Sequence, residues 1–286
     1  RDPLTISPTL VRTRDNSQIW GERYNRKFDD ILAVEEDMAA AILQAMRLKL
    51  SGEEKQKISQ RPIDNARAYE CYLKANQEIF RFSESSLDRA LGYIQEGLQI
   101  VGDNALLYSA MAYAYWQYVN IGLKQEDYIE KAEECVKKAL ALDPESPKAH
   151  DVLGNIYRDF RGNPQEAVRH FKQALAGNPN EPSTLFMLAW TYLSDLGKPS
   201  AASALIERFR QVDPLNELGD FLQGGLHLYG GQFKLALDPW RKMCQLDPQN
   251  APAQYFCALT LARTNEPDQA LAIIDRGTKA ALDEVV

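Results

Sequence analysis

Histidine and cysteine are the side chains best suited to metal binding or nucleophilic attack near neutral pH, and this chain carries three of one and four of the other. Their spacing supports neither use. His150, His170 and His227 form no H-E-x-x-H or comparable cluster, so the sequence offers no zinc ligand set. Cys71, Cys135, Cys244 and Cys257 make no C-x-x-C pair and have no histidine at ligand spacing. All seven fall in segments with helical periodicity, where packed imidazoles and small buried thiols account for them. A Cys244 to Cys257 disulfide between consecutive helices stays open. Phosphate chemistry fares no better: G-x-x-x-x-G-K-[ST], G-x-G-x-x-G and G-x-S-x-G are all missing, and Gly224, Gly225, Gly230 and Gly231 lack the order of a phosphate cradle. They read as close packing and a turn. Acidic residues are plentiful, but solvated helix faces explain them without a pair of catalytic carboxylates. The expectation is a chain with no catalytic residues, no metal and no cofactor of its own.

The elements that would have to position any such chemistry follow from the composition. With 45% apolar and 26% charged residues over 286 positions, the chain can bury a sizeable core of the kind soluble domains have. Its 33 basic and 40 acidic side chains give a net charge of −7, which argues against nucleic acid or an anionic membrane as partner, since phosphate contacts need clustered Lys and Arg. No apolar run approaches the roughly 20 residues that span a bilayer, and Arg1 to Ile6 lack the apolar stretch of a signal peptide. A soluble fragment is expected, in the cytoplasm or, alternatively, on the extracytoplasmic side of a membrane-anchored parent. The first residue is not Met, so the chain reads as a piece of a longer protein.

Periodicity decides the fold. Pro144, Pro179, Pro214 and Pro248 recur at intervals of 35, 35 and 34 residues, each closing a phrase such as Leu142, Asp143, Pro144 or Leu246, Asp247, Pro248. A proline just past a helical pattern ends it, because its ring removes an N–H donor and restricts the residue before it. Between stops lie two helical segments. The second carries a small residue followed by residues at i+4 and i+7: Ala132, Val136, Ala139; Ala167, Phe171, Ala174; Ala202, Ile206, Phe209; Ala236, Trp240, Met243; Ala270, Ile274, Gly277. That spacing puts all three on one face, with the small residue where a neighbouring helix comes close. First helices repeat their own phrase, as in Leu153, Gly154, Tyr157 and Leu188, Ala189, Tyr192. Upstream, Ala90, Ile94, Gly97 and Met111, Ala112, Tyr115 continue both, with Gly102 where a stop proline would sit. The array is therefore six helix pairs: 66–102, 105–144, 147–179, 182–214, 217–248 and 251–282.

These phrases resemble the tetratricopeptide repeat, a helix-turn-helix unit of 34 residues that stacks into a superhelical solenoid, and the resemblance covers about three quarters of the chain. The fold class expected is all-α. Departures are local: extra residues between the helices of the second unit around Asn120 to Asp127, His227 in place of the usual Tyr, and Pro239 inside a second helix, where it should kink the chain.

Ahead of the array, Leu4, Ile6, Pro8, Leu10 alternate with Thr5, Ser7, Thr9, Val11, a strand pattern that Pro8 confines to an edge or a bulge. Arg14 to Ser17 read as a turn and Ile19 to Tyr24 as the returning strand. Asp29 or Asp30 can cap a helix to about Leu50, with the stripe Ile31, Val34, Met38, Ile42, Ala45, Leu48, and Ser51 and Gly52 end it. Residues 1–52 are thus expected to be the carboxy-terminal remnant of an α/β domain, with a linker over 53–65. The stretch Ser17 to Arg26, followed by Asp30 to Val34 and Leu48 to Glu54, resembles the end of the TolB amino-terminal-like domain joined to tetratricopeptide repeats in multidomain bacterial signalling proteins. In that family the region follows a Ser/Thr kinase, nucleotide cyclase or winged-helix domain, which implies a regulatory or sensory arm.

The function expected is a non-enzymatic scaffold that binds a peptide or partner domain on the concave face, the usual use of such a solenoid. The alternatives are a part of a signalling enzyme whose catalytic domain lies elsewhere, or an oligomerisation or spacer element. Taking the register literally, the concave face receives Leu106, Tyr113 and Trp116, then Phe186, Met187 and Trp190, then Leu218, Phe221, Leu222 and Tyr229, then Tyr255 and Phe256. The family's charged groove, which grips a peptide carboxylate through Lys, Arg and Asn, is partly echoed by Lys148, Asn155 and Arg158. An apolar or aromatic segment is the ligand this implies. Equally open is that these aromatics pack on one another.

Overall fold

The computed structural model describes residues 4–27, 31–46, 62–124, 127–247 and 250–283. Packing divides the chain into two compact units, Arg1–Pro144 and Glu145–Val286.

In the first unit, strands β1 (Leu4–Ile6), β2 (Thr9–Arg12), β3 (Ser17–Gly21) and β4 (Tyr24–Arg26) form one antiparallel hairpin in two ladders, β2 with β3 and β1 with β4. Pro8 is the reason for the break. It has no N–H to give the ladder, and its carbonyl accepts from the Glu22 N–H at 3.3 Å. At the tip, Asp15 accepts from both the N–H and the hydroxyl of Ser17, at 3.0 and 2.6 Å, while Asn16 takes φ 55°. Helix α1 (Ile31–Ala45) packs on β3 and β4, and Val34 and Tyr24 are buried. The expected end of this helix at Ser51 and Gly52, and most of the expected linker, lie outside the described residues.

Two helix pairs complete this unit: α2 (Ala66–Ile79) with α3 (Glu84–Val101), and α4 (Ala105–Asn120) with α5 (Asp127–Leu142). Their starts are set by side chains. Asn65 accepts from the N–H groups of Arg67 and Ala68, Asn104 from those of Leu106 and Leu107, and Ser83 shares a capping box with Ser86. Each such cap contributes about 1 kcal/mol. Gly102, at φ 76°, follows α3 where a stop was expected.

The second unit holds four pairs: α6 (Pro147–Asp159) with α7 (Pro164–Gly177), α8 (Pro182–Trp190) with α9 (Pro199–Val212), α10 (Leu218–Tyr229) with α11 (Phe233–Leu246), and α12 (Ala251–Arg263) with α13 (Pro267–Asp283). Proline opens α6, α7, α8 and α9 at positions where a missing N–H costs nothing. Ala167, Ala202 and Ala236 are fully buried at the helix contacts their register assigned them. Pro239 does not end α11, which continues to Leu246. The carbonyl of Leu235, four residues back, loses its helical donor there, on a residue 55% exposed. One feature has no precursor in the sequence pattern: α8 runs directly into a π-turn over Thr191–Asp195, closed by the Leu196 N–H on the Thr191 carbonyl at 3.1 Å.

Candidate protein-binding face

Three first helices of the second unit bring their aromatic side chains together. Trp190 of α8 lies against Phe221 of α10 (ring centroids 4.8 Å), Phe256 of α12 (5.4 Å) and Tyr229 of α10 (6.0 Å). Phe256 stacks on Trp240 of α11 at 5.1 Å, and Phe186 reaches Phe221 at 5.9 Å. Offset and edge-on pairs of this kind contribute about 0.5–1.5 kcal/mol each beyond area burial, so the cluster is stiff. Depth separates its members. Phe221 is buried, Trp190, Phe186 and Phe256 are half-buried, while Tyr229 and Tyr255 are 38% and 62% exposed. Burial and the nearby Asp195 raise the Tyr229 hydroxyl above its ordinary range, so it stays protonated.

Other expected lining residues lie at different depths. Leu222 is fully buried beside Leu185, Ala189 and Ile206, which removes it from any surface. Met187 packs on the Ala167, Phe171 and Leu188 cluster, and Leu218 bridges two core clusters. In the first unit, Trp116 is buried and Leu106 half-buried, while Tyr113 sits between Phe80 (6.3 Å) and Trp116 (5.3 Å). Phe80 and Phe82 are more than half exposed.

The polar residues on α6 divide by what they already hold. Arg158 donates through Nε to Asp195 (2.7 Å) and through Nη1 to Asp159 (2.8 Å), with 18% of its side chain exposed. A ligand carboxylate would have to share the guanidinium with both aspartates. Asn155 is buried, and its Oδ1 has no donor. Lys148, half-buried, attracts the carboxylate of Asp151, but burial dominates and raises the Asp151 pKa; Thr184 Oγ1 donates to that carboxylate at 2.7 Å. Asp195, Asp151 and Thr184 belong to no sequence motif. They are found only when the π-turn carries Asp195 to Arg158 and α8 packs beside α6.

His150 and His170 form a buried pair, and His227 sits between Gln223 and Gln232. All four cysteines are thiols, so no disulfide joins Cys244 to Cys257. Among the described residues no helix is long and apolar enough to cross a membrane, and no group of three His, Cys, Asp or Glu side chains gathers at a metal-binding distance.

Residues 161–219 match the tetratricopeptide repeat family model. Among curated proteins, "Putative adenylate cyclase 3" of Rhizobium meliloti is 26% identical over 153 residues, which cover 52% of this chain and 26% of that protein. The chain thus spans about a quarter of the length of that relative. The solved structure of PilW, a widely conserved type IV pilus biogenesis factor, superposes with a TM-score of 0.56 at 17% identity, over 71% of this chain and 90% of PilW. A tetratricopeptide repeat protein from Parabacteroides merdae gives 0.53 at 13% identity, over 73% and 80% of the two chains. The fold is all-α, of tetratricopeptide-repeat helix pairs, with a small amino-terminal hairpin.

Proposed function

We propose that this chain is an interaction module without chemistry of its own, which receives an apolar or aromatic segment of a protein partner on the first-helix face of residues 145–286. The observation that carries this reading is the pair of exposed rings, Tyr229 and Tyr255, standing on the packed base of Trp190, Phe221 and Phe256. A rigid aromatic base offers contact area at little entropic cost on binding. The Arg158 pair with Asp195 borders the same run of helices. The groove expectation and the packing alternative thus divide by depth: Phe221 and Leu222 support, and the exposed tyrosines touch.

The wider role follows the resemblance and the cyclase-named relative. The chain is the regulatory or sensory arm of a larger bacterial signalling protein, with residues 1–52 closing a TolB-like domain, a linker over 53–65, the repeats over 66–286, and the catalytic or DNA-binding head elsewhere. The test is a panel of synthetic peptides, apolar, aromatic and acidic, titrated against the chain and against Tyr229→Ala/Tyr255→Ala. Binding of aromatic peptides that falls at least about tenfold in the variant, a loss of about 1.4 kcal/mol, with an unchanged melting temperature, supports the face. Equal binding by both chains refutes it. Turnover of ATP or GTP by the chain would refute the non-enzymatic reading.

A further inference from the structure

Where α6 meets α7, His150 and His170 face each other with their Nδ1 atoms 3.1 Å apart and their rings nearly parallel. Arg169 fixes which nitrogens carry protons. A guanidinium only donates, so His170 Nε2, 3.2 Å from Arg169 Nη2, must accept, and the proton of neutral His170 sits on Nδ1. That N–H points at His150 Nδ1, which accepts it, so the proton of neutral His150 sits on Nε2. A further proton is then opposed at both nitrogens, with the Gln173 side chain as the hydrogen-bond partner that favours it. On His170 Nε2 it sets an N–H against the guanidinium, and on His150 Nδ1 it sets two N–H groups against each other.

We propose that this pair is an acid-operated latch: uptake of one proton opens the contact between α6 and α7 locally, while the neighbouring pairs stay closed. The charges around it agree. Burial, then Arg169 of α7, then His150 of α6 oppose protonation of His170; Glu166 and Gln173, both of α7, favour it more weakly, and the balance leaves His170 at about 4, below the ordinary 6.5 of an imidazole. Tyr157 of α6, lying parallel to the His170 ring, adds bulk and no charge. An imidazole depressed in the folded state contributes stability that is complete above 6.5 and is lost as pH falls from there towards 4. Asp151 works in the opposite sense. Its carboxyl, raised by burial against the pull of Lys148 and the Thr184 hydrogen bond and with Glu181 of the α7–α8 turn nearby, takes up a proton more readily when folded, so acid favours its closed state. A melting curve mixes the two effects, and so does any readout over the helices that hold both residues; a variant that removes the His170 imidazole separates them. The latch stands whether or not the first-helix face binds a partner.

The test is hydrogen exchange of the chain at pH 7.5 and pH 5.0, corrected for intrinsic rates and read by mass spectrometry. Linkage through His170 alone would raise the opening equilibrium of residues 147–177 by about 25-fold; Asp151 in the same segment lowers that rise, and the equilibrium of residues 199–246 should change less than about threefold. His170→Phe, which cannot titrate, should remove the rise in 147–177. A second measurement needs no variant: imidazole nitrogen spectra at pH 7.5 should show His170 protonated on Nδ1 and His150 on Nε2. A rise spread equally over the unit, or the reverse tautomers, would overturn the latch.

Discussion

A methyl group added at Gly154 would lie 2.4 Å from the Phe171 ring, and one added at Gly224 would lie 2.4 Å from Trp240. Both partners are fully buried and have nowhere to retreat, which is why the small-residue slot of the repeat is so strict. The same crowding acts from the second helices. Ala167→Leu or Ala202→Leu should cost about 1–3 kcal/mol by overpacking, read as a lowered melting temperature; if neither moves it, the helix register is wrong. Those slots were legible because a fixed spacing of small and apolar residues states them outright. Buried polar residues were not. Asp151 looks like one more acidic residue in sequence, yet it is 3% exposed and accepts from Thr184 on the next pair. Since burial raises its folded-state pKa, the charged form is penalised at neutral pH, and that penalty fades as pH falls through the raised value. Asp151→Asn, which keeps an acceptor for Thr184, should therefore raise the melting temperature at pH 7 and lose that advantage in acid. An equal gain at all pH values would mean that charge is not the cause.

At the scale of elements, sequence gives the face of a helix more readily than its depth. Phe221 and Leu222 were both assigned to one surface, but Leu222 turns into the cluster around Leu185 and Phe221 is covered by Trp190 and Phe256. Depth depends on which neighbouring helices arrive, and no local period encodes that. The π-turn at Thr191–Asp195 is the same kind of omission: it follows from how α8 leaves its pair, and it brings Asp195 to Arg158. Pro8, by contrast, announced its effect, since a residue without an N–H must interrupt a ladder. Pro239 announced a defect that α11 tolerates. Restoring the N–H with Pro239→Ala gives the exposed Leu235 carbonyl its helical donor again. The expected result is stabilisation of about 1–3 kcal/mol, set against about 0.5–1 kcal/mol lost by a more flexible unfolded chain, and thermal melting measures the sum. A drop in melting temperature would show that the ring itself packs.

For the molecule as a whole, the consequence of repeat architecture is that each pair depends on its neighbour more than on distant pairs, and residues 145–286 make this testable. The core that holds α10 and α11 is shared with α12 and α13: Phe221, Leu237, Trp240 and Met243 lie in one cluster with Ala253, Cys257, Ala258, Leu261 and Ala270. Trp240, fully buried, has Phe256 stacked on it at 5.1 Å. The cluster around Leu185, Ala202, Ile206 and Phe209 draws its buried members from α8, the π-turn that follows it, α9 and α10. A chain ending at Asp247 removes one half of the first core and leaves the second intact. Hydrogen exchange should then show protection lost over 218–246 and largely kept over 147–212, with Trp240 fluorescence shifting towards that of a solvated indole. Uniform loss across 147–246 would mean that the four pairs form one cooperative block, and that the period in the sequence describes their geometry without describing how their stability is divided.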